Sequence, residues 1–385
     1  MTNKKLKVFV DAEVLIAPHF SGIGHYTLEL LRALDDIIGN RDDVIVELGV
    51  FYKRVNKIRT YRFQNFRVRR HLFPLRISNG LKIRGWQPPY DIFFGKRVYF
   101  FPNYTTWPTW FSKSVSVVYD LSFEYFPQYV EPRNQKFLSE QVKKTIERSN
   151  KVITISRNSQ KEIAGFYNRP INDIPIVYPG IDQTKFFRWP SKEIDKVKAK
   201  YGIFGDYILF VGNIEPRKNL KNLLLAYEKI DIKYRKKYSL LLVGARGWLD
   251  GEIFEIIERL RVAGNHIQQP LNYVEDDDRA ALYSGASLFV YPSKYEGFGI
   301  PPVEAMACGV PVITSNNSSL PEAVGSAAKI IKAESIEQLS RVIEKVLSDK
   351  ELQKIMIAEG FKQVDKFSWH REAQKLLDVF MDVNK

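Results

Sequence analysis

The part of the sequence with the clearest chemical content is a loop, rich in glycine and proline, that follows an apolar run. The run ends at Tyr291, and Gly297 and Gly299 then let backbone amides approach a ligand closely. Pro301 and Pro302 suit the first positions of a helix, where an amide proton would have no partner. The pattern places this loop at the carboxyl end of a parallel strand, where α/β sheets bind ligands, and a helix N-terminus that attracts anions follows it.

Two carboxylates frame this loop, Glu296 just before the glycines and Glu304 in the first turn of the helix. Each can accept hydrogen bonds from neighbouring hydroxyl groups of a sugar. Taken alone, Glu296 fits a solvated loop residue, and Glu304 fits a side chain that complements the helix dipole. Both carboxylates together with both glycines, in this order, favour the sugar-binding interpretation.

Three further blocks place glycine, polar or charged residues directly after an apolar run. Adjacent Arg and Lys before a helix are also frequent on protein surfaces, and Gly-x-Gly before a helix is also frequent in tight turns. A histidine on a first helical turn, such as His25, is usually solvated or capping. The candidate residues of the three blocks are Gly22, Gly24, Tyr119, Asp120, Gly212, Asn213, Arg217 and Lys218.

These blocks resemble those of the retaining glycosyltransferases of family 4, whose GT-B fold has two Rossmann-like domains facing a cleft. Glu296 and Glu304 meet the Glu-x7-Glu motif of that family. The resemblance implies that Glu296 contacts hydroxyls of the transferred sugar and that Glu304 holds the ribose of the donor. It extends over nearly the whole chain and is strongest between residues 207 and 322.

The resemblance also implies that Arg217 and Lys218 neutralise the leaving diphosphate. That chemistry needs cations, because departure of a nucleoside diphosphate builds negative charge that the protein must stabilise when no metal does so. The family's glycine loop approaches the donor phosphates, and the backbone near residue 273 reads the edge of the base. The donor-binding residues implied, besides Glu304, are Gly22, Gly24, Gly212, Asn213, Tyr273, Val274, Gly297, Phe298, Gly299 and Ile300.

One position departs from the family pattern, since many members have His-Asp where this chain has Tyr119-Asp120. A tyrosine can donate a hydrogen bond but is no general acid or base near neutral pH. Both residues stay catalytic candidates, although Asp120 fits equally well a role in orienting a backbone amide. The run Asp276–Asp278 resembles an Asp-x-Asp metal motif, but acidic capping of the helix that follows explains it better. We expect neither a metal nor a cofactor.

Strand-like apolar runs alternate with amphipathic helical patterns along the chain, which predicts an α/β fold with two doubly wound domains. The clearest helices are expected at 24–37 and 134–149. A polar stretch between 178 and 201 marks the boundary, giving domains 1–185 and 186–366, with a closing helix at 367–385 that crosses back to the first domain. Strands are expected at 7–10, 44–50, 98–101, 115–118, 151–155, 176–178, 207–211, 239–243, 287–291 and 311–314.

The composition fits two domains, because 385 residues exceed what one hydrophobic core usually supports. Cys308 is the only cysteine, which excludes an intrachain disulfide framework and favours the cytoplasm. Asp11 and Glu13 argue against a signal peptide, and no apolar run is long enough to cross a bilayer. We therefore expect a cytoplasmic protein whose contact with a membrane, if it has one, is peripheral and on the inner face.

The formal net charge of +14 indicates an anionic partner. Residues 51–97 interleave Lys and Arg with aromatic residues, which fits either an anionic membrane surface with a lipid-linked acceptor or an ordinary solvated face. Nucleic acid is disfavoured, because the basic residues form no recognisable nucleic-acid-binding motif.

The sequence thus predicts a retaining transferase that moves a hexose from a nucleotide-diphosphate sugar to a glycan or lipid-linked acceptor in cell-surface polysaccharide synthesis. The pattern favours GDP-mannose as donor, with UDP-sugars next, although no residue decides the base. The alternatives are a GT-B nucleotide-sugar epimerase or hydrolase, and a non-catalytic protein that binds anions or nucleic acid.

Overall fold

A computed structural model of the chain describes residues 5–16, 22–39, 41–71, 87–247 and 250–385. Residues 72–86, part of the basic and aromatic region singled out above, lie outside the described residues. The chain divides into two compact units. Unit 1 comprises residues 1–180 and 368–385, and unit 2 comprises residues 181–367.

Unit 1 is built on a six-stranded parallel sheet with the strand order β3-β2-β1-β4-β5-β6. The central strand β1 is apolar on both faces, and Val8, Phe9 and Val10 are fully buried. Such continuous apolar runs are typical of parallel sheets, which helices cover on both sides. The strands are β1 Leu6–Asp11, β2 Val44–Phe51, β3 Arg67–His71, β4 Val98–Phe101, β5 Lys113–Val117 and β6 Lys151–Ile153. The helices are α1 Gly22–Ile38, α2 Val55–Arg59, α3 Tyr90–Phe94, α4 Ser122–Tyr125, α5 Pro132–Arg148 and α6 Arg157–Phe166.

Unit 2 repeats the architecture with a six-stranded parallel sheet in the order β12-β11-β10-β7-β8-β9. Its strands are β7 Asp206–Val211, β8 Tyr238–Val243, β9 Ile267–Gln268, β10 Leu288–Tyr291, β11 Val312–Ser315 and β12 Lys329–Ile331. Its helices are α7 Ser191–Lys200, α8 Leu220–Lys229, α9 Ile232–Lys237, α10 Gly251–Val262, α11 Arg279–Ser284, α12 Ile300–Ala307, α13 Leu320–Val324, α14 Ile336–Ser348 and α15 Lys350–Val364.

The final helix, α16 Trp369–Asn384, belongs to unit 1 and packs against α1. Phe380 is fully buried and meets Phe100 of β4 edge to face, with 5.3 Å between ring centroids. The Glu372 carboxylate accepts a hydrogen bond from the backbone amide of Tyr178 at 2.9 Å. The closing helix therefore returns to the first sheet, and the predicted α/β fold with two doubly wound halves is confirmed.

The strand prediction missed β3, β9 and β12, and all three lie at the edges of their sheets. Edge strands have one unpaired side and are often short or charged, so they lack a long apolar run. The strand Arg67–His71 illustrates this, since three of its five residues are arginines. Conversely, the strand predicted at 176–178 is only an isolated bridge between Ile176 and Thr154. None of the helices in the described parts of the chain is long and apolar enough to span a membrane.

Candidate active site

The loop between β10 and α12 has one conformation that its sequence enforces. Gly299 has a φ of 105°, in the left-handed region, and a Cβ added there would lie 2.7 Å from Leu320 Cδ2. Two serines at the start of α13 fix the loop backbone. Ser318 Oγ accepts a hydrogen bond from the amide of Glu296 at 2.8 Å, and Ser319 Oγ donates to the carbonyls of Glu296 and Phe298, both at 2.8 Å. These contacts fix the backbone of the loop.

The side chain of Glu296 lies between the two predicted cations. Lys218 Nζ donates to Glu296 Oε1 at 2.7 Å, and Arg217 Nη1 donates to Glu296 Oε2 at 3.1 Å. Arg217 Nη2 reaches a second carboxylate, Glu215 Oε1, at 2.7 Å. The structure therefore brings Glu296, Arg217 and Lys218 together, as the sequence predicts, and adds Glu215, which sequence reasoning missed. We call these four residues the ion network.

Burial and charge act in opposite directions on the ion network. Burial alone would raise the pKa of Glu296, but Arg217 and Lys218 outweigh it and hold that pKa at about 2. Burial lowers the pKa of Lys218, while Glu296 opposes the shift. Glu296 is therefore a carboxylate at every physiological pH. Because one ion of a buried pair is costly without the other, each member depends on its partners.

Tyr291, the last residue of β10, completes the surroundings of Lys218. The Lys218 ammonium donates to Tyr291 Oη at 2.5 Å and lies 5.0 Å from the centre of the ring. Burial and the nearby Glu296 raise the pKa of Tyr291 well above its usual value, so the phenol stays protonated. Sequence reasoning identified Tyr291 only as the end of a strand, and nothing in its spacing singled out this contact.

A short turn after β7 positions the side chains of Arg217 and Lys218. Pro216–Lys218 form a single turn of 3₁₀ helix, and Asn219 follows with a φ of 58°, a left-handed conformation that asparagine tolerates. The Asn219 side-chain amide donates to the carbonyls of Pro292 at 3.1 Å and Ala333 at 2.8 Å. The asparagine ties the cation-bearing turn directly to the loop that carries Glu296.

Glu304 lies in a second cluster within unit 2. It is 6% exposed, and Tyr283 Oη, in α11, donates to its Oε2 at 2.8 Å. Burial lowers the pKa of Arg279, but the nearby Glu304 together with Tyr283, Asp276 and Tyr273 outweighs that effect, and the net shift is upward. Glu304 is thus bonded to Tyr283 and acts electrostatically on Arg279, whereas Glu296 is bonded to Arg217 and Lys218. Sequence reasoning did not identify Tyr283 as a site residue.

The predicted donor-binding residues occupy several places in unit 2. Gly212 follows β7, and the neighbouring loop after β8 comes so close that a Cβ on Gly244 would lie 2.0 Å from the Gly212 carbonyl oxygen. Asn213 is exposed, and Tyr273 is 62% exposed, whereas Val274 is buried. Gly297 and Phe298 are buried within the fixed loop, and Ile300 begins α12.

The acidic run before α11 corrects the capping prediction. Asp278 occupies the N-cap position but makes no side-chain hydrogen bond to the helix start. Instead, each carboxylate faces a cation: Asp278 faces Lys200 at 2.5 Å, Asp277 faces Lys185 at 3.1 Å, and Asp276 faces Arg279 at 3.5 Å. The described residues include no group of three His, Cys, Asp or Glu side chains arranged to hold a metal ion.

The remaining predicted residues belong to unit 1. Gly22 and Gly24 lie in the first turn of α1. Tyr119 is buried, and its hydroxyl donates to the carbonyl of Pro102 at 3.0 Å. Asp120 Oδ1 accepts the backbone amide of Ser122 at 2.9 Å, where α4 begins. These contacts give both Tyr119 and Asp120 a partner inside unit 1, and they favour for Asp120 the orienting role that the sequence left open.

Comparison with known proteins supports one family. The model of the family "Glycosyl transferases group 1" matches residues 193–363. The chain is similar to O-antigen chain mannosyltransferase B of Escherichia coli, with 32% identity over 283 residues, 74% of each protein. It is also similar to the serotype-specific mannosyltransferase WbdA of Escherichia coli, with 30% identity over 238 residues, 61% of this chain and 29% of that protein.

The fold has a close counterpart among solved structures. The crystal structure of the Anabaena protein HepE in complex with UDP-glucose matches with a TM-score of 0.68 and covers 98% of this chain and 99% of that one. The sequence identity is 16%, so this likeness concerns the fold.

Proposed function

The chain belongs to the glycosyl transferases group 1, a family of GT-B glycosyltransferases, and on that premise we propose that it moves a hexose from a nucleotide-diphosphate sugar to a glycan or lipid-linked acceptor. The observation that carries the proposal is the ion network. It lies at the carboxyl ends of β7 and β10, beside the N-terminus of α12, where α/β sheets bind phosphorylated ligands.

The ion network is suited to a leaving diphosphate. Its two cations and two carboxylates sum to zero formal charge, so each charge has an opposite charge beside it. Lys218 has three N–H donors, and Tyr291 and Glu296 accept two of them, which leaves one for a phosphate oxygen. As the bond to the sugar breaks, charge on the diphosphate grows and its attraction to Lys218 and Arg217 strengthens, which lowers the barrier.

We propose that transfer retains the configuration of the sugar. The bond between the anomeric carbon and the β-phosphate oxygen breaks, and the acceptor oxygen bonds to the same face of that carbon. The proton of the acceptor hydroxyl passes to the departing phosphate oxygen, so no protein base is needed. In this scheme Glu296, ionised and held in place, accepts hydrogen bonds from hydroxyls of the transferred sugar, and Glu304 holds the ribose.

For the donor we propose GDP-mannose, with UDP-sugars next. The two Escherichia coli relatives are mannosyltransferases by name, and the similar HepE structure contains UDP-glucose. For the acceptor we propose a glycan of a cell-surface polysaccharide, because one relative is named for the O-antigen chain. A lipid-linked acceptor would bring the protein to the inner face of the membrane.

Thermal shift with GDP-, UDP-, ADP- and dTDP-sugars identifies the donor, since a ligand that binds only the native state stabilises it by about 2.7 kcal/mol at a hundredfold excess over Kd. Incubation of that donor with mannan oligosaccharides then tests transfer, and NMR of the product gives the anomeric configuration. An inverted linkage would contradict retention. An epimer or free sugar as the main product from donor alone would favour the epimerase or hydrolase. No stabilisation by any nucleotide sugar would contradict the proposal as a whole.

A further inference from the structure

Unit 1 exposes four large apolar side chains on two neighbouring segments. Trp110 is 74% exposed, Ile92 and Phe111 are 51% exposed, and Phe93 is 47% exposed. Ile92 and Phe93 belong to α3, and Trp110 and Phe111 lie just before β5. We call these four residues the aromatic patch. Contiguous apolar groups on a protein surface usually mark a site of interaction.

The patch is held by a buried carboxylate. Asp91, 1% exposed, accepts hydrogen bonds from the backbone amide of Trp110 at 3.0 Å and from that of Phe111 at 2.8 Å. The amide of Tyr90 also donates to the carbonyl of Pro108 at 2.9 Å. Tyr90 is itself buried and stacked on Trp107, with 5.2 Å between ring centroids. These contacts fix the backbone of both segments, so the fold itself holds the patch side chains facing outward.

The position of the patch separates it from ligand-binding loops. The helix α3 leads into the amino end of β4, and Phe111 lies two residues before the first residue of β5, Lys113, which pairs with Val98. The patch therefore lies at the amino ends of these strands. Ligands of α/β sheets bind at the opposite, carboxyl ends.

Each of the two patch segments is followed by an exposed lysine. Lys96 lies two residues after α3, and Lys113 lies two residues after Phe111. Asp91 is the single carboxylate in the sequence from residue 87 to residue 113, and its oxygens accept the backbone amides described above. The surface thus combines a tryptophan and a phenylalanine with lysines and carries no exposed acidic side chain within this segment.

We propose that the aromatic patch docks unit 1 on the surface of an anionic lipid bilayer. Trp110 and Phe111 enter the boundary between headgroups and acyl chains, where aromatic side chains concentrate, and Lys96 and Lys113 attract the lipid phosphates. A second copy of the chain fits less well, because a two-fold contact through the patch would bring the lysines of both copies together.

This proposal assigns the membrane contact to fewer residues than the region 51–97 expected from the sequence, and partly to different ones. Within that region, Phe66 and Tyr90 are buried. Half of the patch, Ile92 and Phe93, comes from that region, and the other half, Trp110 and Phe111, comes from outside it. It goes beyond the proposed transfer reaction, because its residues all belong to unit 1 whereas the ion network lies in unit 2.

Co-sedimentation of the full chain with phosphatidylglycerol vesicles tests the proposal. We expect binding at low salt, weaker binding to phosphatidylcholine vesicles, and about tenfold weaker binding for the double variant Trp110→Ser, Phe111→Ser. The matched control is Phe204→Ser, Leu271→Ser in unit 2, whose side chains are 74% and 76% exposed, and we expect it to bind as the wild type does. Equal binding by the patch variant and the wild type would overturn the proposal, as would no binding to anionic vesicles at low salt.

Two further measurements make the test specific. Brominated lipids should quench the fluorescence of the wild type more than that of Trp110→Phe, because only a tryptophan within the acyl region meets bromine. Light scattering of the wild type and the patch variant should give the same monomer mass. A mass that falls in the variant would instead identify the patch as a self-association surface. Transfer to a soluble oligosaccharide should be unchanged in the patch variant, so failure of docking and failure of the transfer reaction remain distinguishable.

Discussion

At the scale of single residues, the site is an ion network in which every cation already faces a carboxylate. Lys218 is buried with Glu296, and Arg217 is shared between Glu296 and Glu215. In the proposed reaction, a donor phosphate would therefore join charges that are already paired and oriented. Electrostatic stabilisation by groups that need not reorganise is the most effective kind in catalysis.

Lys218→Met should lower kcat by about 100- to 1,000-fold, because the growing charge on the diphosphate loses its buried cation. The variant should also be less stable by about 3 kcal/mol, since the buried Glu296 loses one of the two cations that neutralise it. Steady-state kinetics and urea unfolding measure the two effects. Lys221→Met is the control, because Lys221 is half-exposed and pairs with the exposed Glu252, and such surface pairs contribute little. Wild-type kcat in Lys218→Met would contradict the assigned role.

Tyr119→Phe should keep kcat within about threefold of the wild type while losing about 1 kcal/mol of stability, the value of one buried hydrogen bond. The reason is that the Tyr119 hydroxyl already donates to Pro102. Kinetics with the donor identified by thermal shift, together with urea unfolding, check both values. A hundredfold loss of kcat at unchanged stability would restore Tyr119 as a catalytic residue.

The sequence singled out Glu296, Arg217 and Lys218, which the structure brings together, and Glu304, which lies in a separate cluster, but it did not predict how they are supported. Glu296, Arg217 and Lys218 were identifiable because their types and neighbouring glycines form a recognisable pattern. Glu215, Tyr283 and Tyr291 were not, because their contacts depend on how separate strands and helices pack, and a tyrosine in an apolar run is usually a core residue.

At the scale of elements, the site depends on short loops whose backbone is fixed at a few positions. Gly299 and Asn219 both have left-handed conformations, one next to α12 and the other next to α8. Serine and asparagine side chains then join the loops to each other. The apolar interior strands supply rigid supports, and they were easy to predict. The edge strands β3, β9 and β12 were missed because they are short or charged.

Gly299→Ala should destabilise unit 2 by about 2 kcal/mol or more and weaken binding of the nucleotide sugar, because the new methyl group meets both a left-handed φ and Leu320. Gly251→Ala is the matched control, since a Cβ there has no atom within 4 Å and Gly251 begins α10. We expect the control to change stability by less than about 0.5 kcal/mol. Urea unfolding and thermal shift with the donor measure these effects, and equal stability of the two variants would show that the loop adapts.

At the scale of the whole molecule, two sheets with separate cores share one chain. The family match at 193–363 falls entirely within unit 2, whereas the last helix, α16, belongs to unit 1. Its apolar face, which includes Leu376, Leu377 and Phe380, is fully buried. The C-terminal residues therefore stabilise the N-terminal sheet, and substitutions in them should destabilise unit 1 first.

Phe380→Ala should destabilise unit 1 by about 3–5 kcal/mol, as expected when a buried phenylalanine is truncated. Scanning calorimetry with and without the donor separates the units, because the nucleotide should raise chiefly the transition of unit 2, which holds the ion network. We expect Phe380→Ala to lower the temperature of the unit 1 transition and to leave the affinity for the nucleotide unchanged. Ile355→Ala, on the exposed side of α15, is the control. Loss of nucleotide binding in Phe380→Ala would show that unit 2 does not fold independently of α16.

The two points at which the chain passes between the units have a consequence of their own. The amide of Ile181 donates to the carbonyl of Phe367 at 3.1 Å, so the first and last residues of unit 2 are neighbours. A segment whose ends meet can be removed, transplanted or circularly permuted with a short connector. Recombination between related genes could therefore exchange unit 2 as a single segment while unit 1 keeps its own sheet and closing helix.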